Sequence, residues 1–208
     1  FDANKMKVVW EAAKSFHQPR IGPGPFEAPY FLHVGVLEKR KNIVRLVEAF
    51  AQLHAVYPNY KLVLVGNTPV KLQLNDAPAI EQAIMAFGLQ DAVVRLGYLE
   101  ADALATIYSH AFAYCLPSLN EGFGLPVLEA FHFKLPLICA NTSALPEVAG
   151  DAALFVDPYN TVSISSAMLQ LVESPNLQAE LVQKGQARQL HFSWQKAAQE
   201  IHDLMQGC

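Results

Sequence analysis

Glu121 and Glu129 are separated by seven residues, and that stretch, Gly122-Phe123-Gly124-Leu125-Pro126-Val127-Leu128, holds two glycines and then a proline. The apolar run Ala111–Leu116, closed by Pro117, comes just before. This order reads as strand, glycine loop, helix. Proline suits the first helical position because its missing N–H would go unpaired there anyway. A helix start behind a glycine loop offers free backbone N–H groups and a partial positive charge, which suits a phosphate. Glu129 falls about one turn into that helix, and Glu121 sits at the mouth of the loop. Donors for an anion thus stand beside carboxylates for hydroxyl groups, the pairing a nucleotide sugar needs.

A second group of charges lies in Gly35-Val36-Leu37-Glu38-Lys39-Arg40-Lys41-Asn42. An apolar run ends there, three basic residues arrive, and a helix starts at or just after Asn42. Arg40 and Lys41 would stand at the carboxyl end of a strand. Arginine there suits bidentate contact with a diphosphate, and lysine acts as a point charge. Taken alone, these residues read as a solvated basic loop. The turn has no Gly-x-Gly-x-x-Gly, which argues against a dinucleotide-binding dehydrogenase.

A third group, Asn141–Asp151, follows the next strand and lies on the same side of the sheet as Glu121. Glu147 within it reads as a first-turn helix residue with a structural role. His33, His54, His110, His132, His191 and His202 are isolated, and each reads as a surface or satisfied histidine. No cysteine or histidine pair has zinc-ligand spacing, and no Asp-x-Asp is present to hold a divalent ion on a diphosphate.

Strands and helices that alternate along the chain must position these groups. Strands are expected at Phe31–Val36, Lys61–Val65, Val93–Leu96, Ala111–Leu116, Leu137–Ala140 and Ala153–Val156. Helices are expected from Asn42 onward, with Asn42 as cap, and at Ala79–Phe87, Leu99–His110 and Pro126–Phe133. Three more are expected near 161–173, 176–190 and 193–206. The continuous apolar strands and the βα alternation predict an α/β, Rossmann-like doubly wound parallel sheet. Ligands of such sheets bind beyond the carboxyl ends of the strands.

With 208 residues, 52% of them hydrophobic and 16% charged, the chain is long and apolar enough for one domain with flanking sequence. A net charge of −4 argues against a nucleic-acid surface. No apolar run approaches the roughly 18 residues of a membrane span. Cys115, Cys139 and Cys208 suggest a reducing compartment without a disulfide framework. The chain opens at Phe1 rather than methionine, which reads as a fragment of a longer protein. The apolar run Met6–Trp10 and the cluster Ile21-Gly22-Pro23-Gly24-Pro25 make residues 1–28 look like a linker. In the last helix Trp194, Ala197, Ala198, Ile201, Leu204 and Met205 share a face that demands a partner surface.

Together these motifs resemble the C-terminal, donor-binding domain of retaining family 4 glycosyltransferases, which have the two-domain GT-B fold. The matching segments are Phe31–Phe50, Lys61–Gly66, Val93–Tyr98, Ala113–Ala130 and Leu145–Pro158. Phe192-Ser193-Trp194 matches the Phe-Ser-Trp that opens the family's closing helix. The pair of glutamates separated by seven residues is the most specific of these marks.

The resemblance implies a role for each group. Lys41 matches the lysine on the donor diphosphate, Glu129 the glutamate on the ribose hydroxyls, and Glu121 the catalytic-site glutamate near the transferred sugar. Gly122, Phe123, Gly124 and Leu125 match the turn whose amides face sugar and phosphate. Many members carry arginine at the position of Val36. Here that part of the clamp passes to Arg40, a change shared by members with a Leu-Glu-x-Arg-Lys-Asn turn. Residues 1–28 then read as an interdomain linker remnant and 29–190 as the nucleotide-sugar domain. Residues 191–208 read as a helix that crosses to an N-terminal acceptor domain absent from the chain, so the fragment alone is expected to be inactive.

The implied activity is metal-independent hexosyl transfer to a polysaccharide or glycolipid, with GDP-mannose the favoured donor and no cofactor beyond the substrate. The implied place is the cytoplasm, with peripheral contact at the inner face of the membrane through the absent domain. Two other classes stay open: half of a sugar phosphorylase or nucleotide-sugar epimerase, and a non-catalytic nucleotide-sugar-binding module.

Overall fold

Alternate residues of each strand feed two separate hydrophobic cores. Phe31, Leu62, Leu64, Cys115 and Ile138 enter one, while Tyr30, Leu32, Val63, Val65, Tyr114, Leu116 and Leu137 enter the other. A sheet apolar on both faces must be covered on both. The structure, a computed structural model, describes residues 8–12 and 22–206. The expected features at Met6 and Lys7, at Ile21 and at Cys208 lie outside them.

Among the described residues six strands form one sheet: β1 (Tyr30–Val34), β2 (Lys61–Val65), β3 (Val93–Arg95), β4 (Ala113–Leu116), β5 (Leu137–Ala140) and β6 (Leu154–Val156). Their spatial order is β3-β2-β1-β4-β5-β6 and every pairing is parallel. Leu32 of β1 stands opposite Val63 of β2 on one side and Tyr114 of β4 on the other. The helices are α1 (Ile43–Val56), α2 (Ala77–Ala86), α3 (Ala101–Ser109), α4 (Leu125–His132), α5 (Leu145–Ala149), α6 (Thr161–Glu173), α7 (Pro175–Gln189) and α8 (Trp194–Gln206). α1, α2 and α6 cover one face, and α3, α4 and α5 cover the other. This is the Rossmann-like, doubly wound α/β sheet the alternation predicts.

The boundaries differ from expectation by a residue or two in most places, for local reasons. β1 stops at Val34 rather than Val36. Beyond it the Gly35 N–H still bonds Val65 O at 2.8 Å, but the chain then turns where two glycine backbones touch. A Cβ on Gly66 would lie 2.0 Å from Gly35 O. α2 starts at Ala77, not Ala79. Asn75 Oδ1 accepts the Ala77 N–H at 3.0 Å, and Pro78 falls in the first turn, where no N–H is missed. α4 starts one residue early, so Pro126 is its second residue.

Asn42 departs from expectation in kind. It holds the N-cap position of α1 with left-handed backbone, φ 60°, yet its side chain makes no cap hydrogen bond. Nδ2 instead donates to Pro117 O at 3.0 Å and Pro158 O at 2.6 Å. The residue stitches together the loops after β1, β4 and β6.

α8 lays only Ala197 into the body of the protein. Trp194, Ile201, Leu204 and Met205 remain exposed along it.

Candidate functional site

The strand order reverses between β1 and β4, so the loops leaving them part to opposite faces and open a crevice. The loop after β1 carries Arg40 and Lys41 on a single 3-10 turn, Lys39–Lys41. The loop after β4 carries Ser118, Glu121 and the glycines. Backbone bonds hold the two together: the Leu119 N–H donates to Arg40 O at 2.7 Å. The loop after β5 closes the third side, where the Glu121 N–H donates to Ser143 Oγ at 3.0 Å.

Glu121 is the hub. Lys41 Nζ donates to its Oε1 at 2.6 Å, Ser118 Oγ to the same oxygen at 2.7 Å, and Arg40 Nη1 to Oε2 at 2.7 Å. Arg40 also pairs with Glu38 at 2.6 Å. The lysine and glutamate side chains are each 8% exposed, whereas Arg40 is 46% exposed. Burial alone would raise the Glu121 pKa. The hydrogen bonds from Lys41 and Ser118 and the charges of Lys41 and Arg40 outweigh it and hold the group below its ordinary value. The carboxylate is therefore ionised and already faced by two cations.

Gly124 makes the turn into α4. Its φ of +102° is one that side chains rarely adopt, and a Cβ there would lie 2.8 Å from Leu145 Cδ2. The amides of Gly122, Phe123, Gly124 and Leu125 find no acceptor among the described residues, while the Val127 N–H turns back to Gly124 O. The Phe123 ring leans away, against Phe192 at 6.0 Å. Glu129 sits one turn further, half-buried, and accepts from the Tyr108 hydroxyl at 2.6 Å. Burial raises its pKa, against the pull of the Tyr108 bond and the Lys41 charge.

All eight residues singled out from the sequence thus flank one crevice: Arg40, Lys41, Glu121, Gly122, Phe123, Gly124, Leu125 and Glu129. Glu147 lies apart, with Oε1 accepting from Trp10 Nε1 at 2.8 Å, the structural role expected of it.

Four side chains of this neighbourhood were given no role at the site from the sequence. Ser118 and Ser143 hold Glu121, and Tyr108 holds Glu129. His33 is the fourth and corrects an expectation, being neither on the surface nor satisfied. It is fully buried, Nδ1 lies 2.9 Å from Cys115 O, and Nε2 has no hydrogen-bond partner among the described residues. A shallow cleft of about 380 Å³ also adjoins the crevice, lined by Leu37, Gly66, Asn67, Thr68, Arg95 and Gly97 beyond β1, β2 and β3. The glycine that ends each apolar run, Gly35, Gly66 and Gly97, was the available signal for it.

Residues 18–188 match the family described as Glycosyl transferases group 1. The chain belongs to this family. Among its relatives, O-antigen chain mannosyltransferase B of Escherichia coli is 35% identical over 172 residues, which make up 80% of this chain and 42% of that protein. The chain spans less than half the length of the curated relatives it matches. Among solved structures, the C-terminal domain of the glycosyl transferase group 1 family protein LpcC from Francisella tularensis has a TM-score of 0.69 at 24% identity over 79% of this chain and 85% of that one. Anabaena Alr3699/HepE in complex with UDP-glucose has a TM-score of 0.78 at 20% identity over 88% and 50%. At these identities the two structures show a shared fold.

Proposed function

We propose that this chain is the donor-binding half of a retaining, metal-independent glycosyltransferase, with an N-terminal acceptor domain as its other half. The observation that carries the reading is the cluster at the β1–β4 crevice. A buried lysine and an arginine meet a carboxylate beside four amides without acceptors among the described residues. Cations and oriented amides are the groups that stabilise charge developing on a leaving phosphate, so the site supplies that chemistry from its own residues.

The residues divide the donor among them. Lys41 and Arg40 take the diphosphate, releasing part of their hold on Glu121. The amides of Gly122 to Leu125 face sugar and phosphate. Glu121 holds hexosyl hydroxyls and stabilises the oxocarbenium-like centre as the bond to the leaving oxygen lengthens. Glu129 accepts from the ribose, and the cleft around Asn67 and Gly97 takes the base. The names of the mannosyltransferase relatives support a hexosyl, and specifically a mannosyl, donor such as GDP-mannose. The exposed apolar stripe of α8 supports a crossing to the acceptor domain.

The test is a thermal-shift screen with UDP, GDP, ADP and dTDP and their sugars. At least one nucleoside diphosphate should raise the melting temperature of the parent chain more than that of Lys41→Ala. If none binds, the donor-binding reading fails.

A further inference from the structure

Among the described residues, one hydrogen-bond donor reaches the Glu129 carboxylate: the Tyr108 hydroxyl, 2.6 Å from Oε2. Tyr108 comes from a different helix, α3, and is 1% exposed. Its ring is held by stacking on Phe133, with centroids 4.9 Å apart, and on Tyr114, 5.6 Å apart, both within 14° of parallel. Tyr114 in turn grips the end of β1, its hydroxyl donating to Val34 O at 3.0 Å and accepting from the Val34 N–H at 3.3 Å. Three stacked rings therefore run from the end of α4 to the strand that leads into the Lys41 turn.

A phenol that donates to a carboxylate decides which oxygen is occupied. Tyr108 takes Oε2, so Oε1 is left for a ligand. The same bond favours the ionised form, which accepts from hydroxyl groups and has no proton of its own to give. We propose that Tyr108 is a positioning residue for ribose recognition, pinning one oxygen of Glu129 and aiming the other at the ribose hydroxyls of the donor nucleotide. This rests on the reading of Glu129 as the ribose ligand.

Tyr108→Phe keeps the ring stack and removes only the hydroxyl, and Glu129→Gln is the reference variant. Titration calorimetry with UDP and GDP, each beside its 2′,3′-dideoxy form, separates the ribose contact from the rest. Tyr108→Phe should weaken ribonucleotide binding about ten-fold or more, the effect of one hydrogen bond to a charged group. Dideoxynucleotide affinity should stay within about two-fold of the parent. Equal loss for both forms overturns the positioning role. Unchanged ribonucleotide affinity in Tyr108→Phe, with loss in Glu129→Gln, overturns it and leaves the ribose reading standing. Unchanged affinity in Glu129→Gln removes that reading and Tyr108's role with it. A ligand-free measurement completes the test: carboxyl-carbon NMR should show Glu129 titrating at higher pH in Tyr108→Phe than in the parent. Identical titration curves overturn the proposal whether or not a nucleotide binds.

Discussion

Lys41 Nζ stands 2.6 Å from Glu121 Oε1, and both side chains are 8% exposed. Removing one member of a buried pair leaves a charge without its compensation, at a typical cost of about 3–5 kcal/mol. Arg40 and Ser118 still touch Glu121, so Lys41→Met should fall near or below the low end of that range. Lys41→Met with Glu121→Gln together should cost less than the sum of the two, by on the order of 1–3 kcal/mol. Urea denaturation of the four proteins of this cycle checks it. Additive costs would show that the two groups do not depend on one another.

The same pairing bears on ligand binding. In Lys41→Ala, affinity for a nucleoside diphosphate should drop by about 1.5–3 kcal/mol, the range for hydrogen bonds to charged groups. Arg40→Ala should cost less, because that side chain is 46% exposed and more strongly screened. Calorimetric titration at one fixed salt concentration compares them. Equal affinity of Lys41→Ala and the parent would remove Lys41 from the phosphate site.

Two glycines in the same loop should respond unequally to alanine. At Gly124 an added Cβ meets a φ of +102° and Leu145 Cδ2 at 2.8 Å. The backbone conformation alone should cost Gly124→Ala about 1–3 kcal/mol, and the loop amides should lose their alignment. Gly122 has negative φ and nothing within 4 Å of a Cβ, so Gly122→Ala should stay within about 0.5 kcal/mol of the parent. Melting temperatures of the two variants decide it, and equal melting would contradict the loop geometry.

Local signals made most of the scaffold readable. Apolar runs such as Lys61–Val65 and Leu137–Ala140 are strands because both faces of the sheet are covered, and the helical stripes between them say what covers them. The site residues were readable because strand ends followed by glycines or charges are local patterns too. What stayed hidden depends on contacts between distant segments. Asn42 reads as a helix cap, yet its amide reaches Pro117 and Pro158 once β4 and β6 come alongside. Tyr108 reads as one more apolar position on α3 until α4 delivers Glu129 to its hydroxyl. Arg40, Lys41 and Glu121 were each legible as ligand groups, but their pairing with one another follows from the adjacency of β1 and β4.

His33 supplies the last prediction, because its signal was also hidden: a histidine inside an apolar strand looks the same whether or not it is satisfied. Cys115 O can only accept, so the Nδ1 facing it carries the proton, and Nε2 is left without a donor among the described residues. Burial chiefly, helped by the charge of Lys41, pushes the pKa down from 6.5 to about 4, against the Cys115 bond and the Glu121 charge. As pH falls through 6.5 the unfolded chain takes up a proton that the folded chain refuses until about 4. The unfolded state binds more protons across that window, so stability falls as the pH falls. By about pH 4.5 the loss should be roughly 2–3 kcal/mol, at about 1.4 kcal/mol per pKa unit. Glu129, with its raised pKa, works in the opposite direction near the acid end, and the loss from Glu121 begins only below its ordinary 4.5. Comparison with a variant isolates the histidine. Urea unfolding of the parent and His33→Phe, at about pH 7.5 and about pH 4.5, should show the parent losing roughly 2–3 kcal/mol more than the variant. Parallel losses in the two proteins would mean that His33 carries no such penalty and that an acceptor reaches its protonated Nε2 in solution.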